Sequence, residues 1–510
     1  MMTAHSAPID TMLSALLTGI ADLHSSVDCP IRRITTDSRD VRAGDLFCAL
    51  TGTRTQGHDF IAHALTAGAA AVLWDKPPGM ASLDAAKLAH GMRHSVPLIA
   101  VENLRAQLGL IAARFYGDPS RAITVFGVTG TNGKTSCVQF IARALQVDAP
   151  CGVIGTLGNG LVNALEPTAH TTPDAVTVQE LLAQMRAKGA AAVAMEVSSH
   201  GLDQGRVNGV LFKCAVFTNL SRDHLDYHHN MDAYGQAKAR LFFMPGLQYA
   251  VINVDDSFGR WLLSHVPAGL NALSYGLHSA GREPRPALCA EHVELRPDGL
   301  LMRITSPWGT AAIASPLLGR FNVSNLLAVL GALVVTGMPF ERACARVQDL
   351  TTVPGRMERY GGAGQPLVVV DYAHTPDALQ HVLQALREHC RGTLRCVFGC
   401  GGDRDRGKRP IMGRIAEATA DEVILTDDNP RSEDPNVITQ DILAGMLEPQ
   451  RVRITHERAA AIADAVRAST PDDVLLVAGK GHETYQIVGA QKFAFNDGEH
   501  VLTLLREGVR

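Results

Sequence analysis

Short β-branched runs that stop abruptly in glycine-rich, charged loops recur along this chain, and they restrict its fold more than any other feature. Four fall close together: PLVVVDY leads into DYAHTPD, LRCVFG into GCGGDRDRGKR, DEVILT into DDNPR, and DVLLVAG into GKGHE. Short apolar runs bounded by turn formers read as buried strands. Helix-length segments between them call for parallel pairing with helices on both faces of the sheet. In such open sheets ligands bind at the carboxyl ends of the strands, where all four loops stand. Taken alone, DDNPR, with two carboxylates, an amide and a guanidinium, says only that something zwitterionic is held.

The same alternation occurs upstream in AITVFGV, AAAVAMEV, CAVFTNL and YAVINV, and HVELRPDGLLMRI predicts an antiparallel appendage about its turn. Nearer the start, DLFCALTG, AAAVLW and PLIAVE make a smaller α/β unit, with the Pro- and Gly-containing DKPPGMASL between the last two. A chain of 510 residues exceeds what one core supports. The reading is an α/β protein of three domains: residues 1–103, a central parallel-sheet domain over 104–352, and a Rossmann-like domain over 353–510.

With 19% charged residues, a net charge of −4 and a pI near 6.6, the chain is not expected to meet nucleic acid or a membrane surface. The ten cysteines are scattered, and Cys396 and Cys400 have no matching second pair. Buried reduced thiols of a cytoplasmic protein are therefore expected rather than a zinc site. MMTAHSAPIDTML lacks a basic stretch followed by an apolar one, so no signal peptide is expected. LLAVLGALVV at 326–335 is too short to span a membrane and reads as a core helix.

GVTGTNGKTS at 127–136 predicts a phosphate-binding loop, although Val128 stands where G-x-x-x-x-G-K-[ST] has its first glycine. Gly130, Thr131, Asn132 and Gly133 supply the small, tightly turning backbone, and the helix starting near Lys134 directs its positive end at the phosphates. Lys134 is expected on the β/γ-phosphates, Thr135 on Mg²⁺, and Ser136 beside them.

TGTNGKT is similar to the loop of the Mur ligases and their folylpolyglutamate synthase relatives, and further motifs from about residue 35 to 485 follow in the Mur ligase order. The resemblance implies an ATP-dependent ligase of peptidoglycan precursor synthesis. ATP would phosphorylate the terminal carboxylate of a UDP-linked muramoyl dipeptide, and an amine would then displace phosphate from the acyl phosphate. It further implies catalytic roles for Lys134, Glu196, His224, Lys238 and Arg356. Two Mg²⁺ ions are implied, held by Thr135, Glu196, His224 and a carbamylated Lys238 (N6-carboxylysine). Without the resemblance, Lys238 reads as a solvated helix charge, and His224 and His228 as solvated histidines. Asn322, Asn325, Arg356 and Asp371 are implied on ATP, with His374 nearby and Arg356 acting as the domains close; Asn322 also reads as a helix N-cap. Ser38, His58, Phe60, Thr171, Thr172, Ser198, Gln204 and Arg206 are implied on the UDP-muramoyl dipeptide, with the UDP end in the first domain.

The resemblance gives three of these loops of the last domain a common task. Arg404, Asp428, Asn429, Pro430, Arg431, Gly479 and Glu483 are implied around meso-2,6-diaminopimelate. Arg431 and Arg404 suit its distal carboxylate, and Asn429 and Glu483 its ammonium. L-Lysine, lacking that carboxylate, is the alternative amino acid. Folylpolyglutamate synthase is a second enzymatic reading, disfavoured by the UDP-type first domain and DNPR. A nucleotide-dependent regulatory protein is disfavoured by the intact catalytic set. A monomer acting on small molecules is expected.

Overall fold

The computed structural model describes residues 11–508 except 52–56, 76–95, 278–284, 297 and 363, so all but the first residue of DKPPGMASL lies outside the described residues. The chain divides into two compact units, residues 1–274 with 331–337, and residues 275–330 with 338–510.

The first unit carries two parallel sheets. Arg33–Thr35, Asp45–Ala49, Ala71–Asp75 and Leu98–Val101 pair in chain order, and the last three are the predicted runs. In the second sheet Thr124–Thr129 lies between Ala192–Glu196 and Cys214–Phe217, flanked in turn by Cys151–Gly155 and Tyr249–Asn253, all parallel. Their near-continuous burial explains why they read as unbroken apolar runs rather than alternating ones. Gly158–Leu161 and Ala164–Glu166 extend this sheet antiparallel and carry too little apolar signal to be read beforehand.

In the second unit Leu288–Arg296, Gly299–Ser306 and Gly309–Ser315 form the predicted antiparallel appendage. The other sheet runs Glu358–Gly361, Leu367–Asp371, Val474–Ala478, Leu394–Phe398, Glu422–Leu425, Arg453–Ile454, parallel except for its first strand. Side chains alternate across a strand. Leu367, Val369, Cys396, Phe398, Leu425 and Leu476 therefore pack beneath helices Pro376–Arg387 and Lys408–Thr419. Val368, Val370, Val397, Ile424, Leu475 and Val477 face helices Arg458–Arg467 and Asp497–Glu507. Two buried faces leave the carboxyl ends of the strands as the place where polar loops gather. A hairpin, Tyr485–Val488 with Gln491–Ala494, follows the last buried strand and was not read from the sequence.

The run at 326–335 lies within helix Phe321–Val335, and among the described residues no helix is long and apolar enough to cross a membrane. The ten cysteines form no disulfide among the described residues, and all but Cys29 and Cys390 are buried.

Candidate active site

The central strand Thr124–Thr129 delivers the glycine-rich loop to the start of helix Lys134–Gln146, whose first N–H groups have no partners within the helix. The loop is tied down from a neighbouring strand end. Thr131 N donates to Asn219 O (2.8 Å), Asn132 N to Asn219 Oδ1 (2.9 Å), and Thr218 Oγ1 to Asn132 O (2.6 Å). Gly130 has a φ of 149° and passes so close to Thr218 that any Cβ would strike its hydroxyl. Lys134 Nζ folds back over the loop, donating to Gly130 O and Thr131 O at 2.8 Å each, and Ser136 stands half-buried in the first helical turn.

Glu196 ends the adjacent strand and is 1% exposed. Its carboxylate accepts from Thr135 Oγ1 (2.9 Å) and from Thr156 N (2.7 Å) and Oγ1 (3.3 Å). Thr156, on the facing strand end, was missed in the sequence because nothing marks one loop threonine among many. A carboxylate and a hydroxyl of this kind are hard oxygen donors and suit Mg²⁺. Lys238 sits 1% exposed on helix Met231–Ala239, which overturns the solvated-charge reading. Its Nζ donates to Gly130 O (2.8 Å) and lies 4.4 Å from the centre of the Tyr234 ring. Burial, reinforced by Lys134, pushes its pKa well below the ordinary lysine value. As an ammonium it does not fit a cation site; with a carboxylate added to nitrogen it would. His224, at a φ of 53°, has Nε2 3.4 Å from Asp223 Oδ2 and its ring edge-on to His200 at 4.8 Å. His228 is buried with Nε2 3.0 Å from Ser199 Oγ, not solvated as expected.

The residues expected on the muramoyl peptide form one network around the Glu196 strand end. Thr171 Oγ1 lies 3.0 Å from Thr156 Oγ1, and Arg206 donates to Thr172 O (2.7 Å) and twice to Gln204 Oε1 (2.7 and 3.0 Å). Gln204 Nε2 donates to Tyr227 OH (3.2 Å). Two of these hydroxyls are engaged within the protein. Thr172 is 1% exposed, and its hydroxyl donates to Glu196 O (2.8 Å) and accepts from Ser198 N (3.0 Å), so it braces the strand end. The Ser198 hydroxyl accepts from Gly201 N (3.0 Å) and caps helix Ser199–Asp203. In the first sheet's loops Ser38 is buried, and its carbonyl accepts from His63 Nδ1 (3.0 Å) just beyond the Gly57–Phe60 turn that carries His58 and the 41%-exposed Phe60.

In the second unit Asn322 and Asn325 are buried and linked, Asn325 Nδ2 donating to Asn322 Oδ1 (2.9 Å) and Asn322 Nδ2 to Leu318 O (2.8 Å). Asn322 is already inside the helix that begins at Phe321, so the cap reading falls. Asp371 is buried and accepts from Met357 N (2.7 Å); burial raises its pKa and Arg356 partly offsets the rise. Arg356 lies 5.3 Å from the Tyr372 ring centre with Nε buried and without an acceptor, and His374 is exposed beside Tyr372, donating from Nδ1 to its carbonyl (2.8 Å).

The remaining strand ends converge. A Cβ on Gly401 would lie 2.9 Å from Arg431 Nη1 and 3.6 Å from Arg404 Cγ, so the two arginines share one wall. Pro430 packs its carbonyl against Gly402, and Arg431 Nη1 donates to Gly402 O (2.8 Å). Asn429 Nδ2 donates to Glu483 Oε2 (2.9 Å). Gly479, at a φ of 113°, lets Asp428 come close, since a Cβ there would be 2.6 Å from Asp428 Oδ2. Burial raises the Asp428 pKa against the pull of Arg458 and Lys480. Lys480, missed beforehand, is fully buried and donates to Glu483 Oε2 (2.8 Å) and Asn429 Oδ1 (3.3 Å), so it shares the two groups expected on the ammonium. Arg458 was also missed. It is fully buried and paired with Asp497 (Nε–Oδ1 2.7 Å, Nη2–Oδ2 2.8 Å), and it reaches Ala478 O (3.1 Å) and Asp427 O (3.5 Å).

Residues 30–116 match the description "Mur ligase family, catalytic domain", residues 128–333 "Mur ligase middle domain", and residues 355–481 "Mur ligase, glutamate ligase domain". The chain belongs to the Mur ligase family. It is 50% identical over 97% of its length to the UDP-N-acetylmuramoyl-L-alanyl-D-glutamate–2,6-diaminopimelate ligase of Alkalilimnicola ehrlichii, covering 99% of that protein. To the ligase of the same name from Coxiella burnetii it is 48% identical over 93% of its length, covering 95% of that protein. A solved structure of a UDP-N-acetylmuramoyl-L-alanyl-D-glutamate–2,6-diaminopimelate ligase superimposes with a TM-score of 0.75 at 36% identity, covering 98% of this chain and 100% of that one. This Mur ligase therefore has the three-domain fold of its family, with N-terminal, central nucleotide-binding and C-terminal domains.

Proposed function

We propose that this chain is an ATP-dependent ligase joining meso-2,6-diaminopimelate to UDP-N-acetylmuramoyl-L-alanyl-D-glutamate, in the cytoplasmic synthesis of peptidoglycan precursors. The observation that carries the reading is the C-terminal cluster: Arg404 and Arg431 share one wall, and Asn429 and Glu483 are joined beside it. A substrate with a carboxylate and an ammonium at its far end would meet both. L-Lysine would leave the arginines without an anion, and residues 30–116, matched to the family's own first domain, disfavour a folylpolyglutamate synthase.

Backbone N–H groups of residues 130–133 and the start of helix Lys134–Gln146 bind the phosphates, and Lys134 swings from the loop carbonyls to the β/γ-phosphates. Mg²⁺, held by Thr135, Glu196, His224 and a carboxylated Lys238, would screen the approach of the γ-phosphate to the dipeptide carboxylate. Lys238, biased by burial toward the neutral amine, adds through Nζ to the carbon of CO₂ and loses a proton. Thr171, Gln204 and Arg206 orient the muramoyl peptide. The incoming amine attacks the acyl phosphate, forms the amide bond and expels phosphate.

Phosphate release from ATP, measured with the dipeptide and a panel of amino acids, tests the reading. Release is expected with diaminopimelate and at least about a hundredfold less with lysine. Release that ignores the amino acid removes the ligase assignment, and release with lysine but not diaminopimelate overturns the substrate.

A further inference from the structure

Arg431 is a strained residue. Its φ of 51° lies in the left-handed region, which favours glycine, and a long side chain stays there only where its surroundings hold it. The hairpin Tyr485–Ala494 holds it. Arg431 N donates to Ile487 O (3.1 Å) and Gly489 N donates to Arg431 O (2.7 Å), so both backbone groups of the strained residue are paired to the hairpin, one to its first strand and one to its turn. The same strand reaches along the loop. Ile487 N donates to Asn429 Oδ1 (2.8 Å), and half-buried Gln486 donates from Nε2 to Asp428 O (2.9 Å) and Asp427 O (3.3 Å).

We infer that this hairpin is the element that fixes specificity for the far end of the amino acid, with Gln486 as its principal positioning residue. The inference rests on the amino-acid site proposed above. Asn429 Oδ1 accepts from Ile487 N and Asn429 Nδ2 donates to Glu483, so the hairpin also fixes the orientation of this amide and, through it, the Glu483 carboxylate that would accept the ammonium. One strand therefore registers the cation side and the anion side of the pocket together. A slip of the hairpin would release Arg431 toward ordinary backbone angles and swing its guanidinium off the wall it shares with Arg404. Gln486 stops such a slip because its amide spans two consecutive carbonyls of the loop. Both carbonyls belong to the segment leading into Asn429, so the brace acts just ahead of the residues that read the ligand.

The test uses the full-length enzyme with Gln486→Ala and Gln486→Glu, the second nearly isosteric but without the N–H donors. Steady-state kinetics are measured against each substrate in turn, with diaminopimelate and lysine compared. Both variants are expected to raise KM for diaminopimelate about tenfold and to lower the diaminopimelate-to-lysine preference, with KM for ATP and for the dipeptide within about twofold of wild type. An unchanged KM and preference overturn the inference, as does a parallel rise in all three KM values or a matching loss of thermal stability. Wild type using lysine and not diaminopimelate instead refutes the proposed substrate, so the two failures are distinct.

Discussion

Replacing Arg458 by methionine tests how the amino-acid loops are anchored. Arg458 and Asp497 are both fully buried and joined by two hydrogen bonds of 2.7 and 2.8 Å. The substitution leaves the Asp497 carboxylate buried without its partner, at about 3–5 kcal/mol. It also strips a donor from the carbonyls of Ala478 and Asp427, the last residue of one strand and the start of the DDNPR loop; each lost bond costs about 1 kcal/mol. Methionine fills much of the arginine's volume, so the charge dominates. The Arg458→Met/Asp497→Leu double variant should recover to within about 2 kcal/mol of wild type. Hydrogen exchange on the peptides of Leu367–Asp371 and Val474–Ala478 reads this directly, since a loss of about 4 kcal/mol in opening free energy lowers protection about a thousandfold. A single variant that costs under about 1 kcal/mol, or a double variant no better than the single, would refute the reasoning.

Other outcomes follow from the same geometry. Lys238→Ala should lower kcat about a hundredfold or more, and a short carboxylic acid in bicarbonate buffer should restore part of it; full activity without rescue would contradict the role given to this lysine. Gly155→Ala places a methyl group against Glu196 Oε1, so the displaced carboxylate should cost about a hundredfold in kcat/KM with the circular dichroism spectrum unchanged. Glu433 is held at about 2, below its ordinary 4.5, chiefly by hydrogen bonds from Arg409. Its folded pKa is depressed, so its stabilising contribution is full above about pH 4.5 and is lost as pH falls toward 2. Limited proteolysis of the 401–407 loop at graded pH should show cleavage rising across that window, and Glu433→Gln should flatten the rise.

The strand ends were legible because β-branched runs and glycine-rich loops sit next to each other in the chain, and both signals are local. Lys480 and Arg458 were not, because a lysine in GKGHE and an arginine opening a helix look solvent-facing until their partners are known. Asp497 is 39 residues beyond Arg458, and no periodicity connects them. The hairpin Tyr485–Ala494 escaped notice because its outer strand is exposed throughout and carries no core pattern. Lys238 shows the opposite failure. Its helix has a weak apolar face, so the chain alone leaves its burial open, and only resemblance to the family singled it out.

The thiols have a practical consequence. Burial raises the pKa of the core cysteines, and at Cys48, Cys151 and Cys400 it reaches about 12, so the thiolate that reacts with maleimides is scarce at neutral pH. Burial raises Cys29 and Cys390 as well, but they alone are partly accessible, and each belongs to a different compact unit. The unmodified protein thus carries one natural attachment point for a fluorophore in each of its two units. Each unit can be labelled through its own thiol without introducing a single new cysteine.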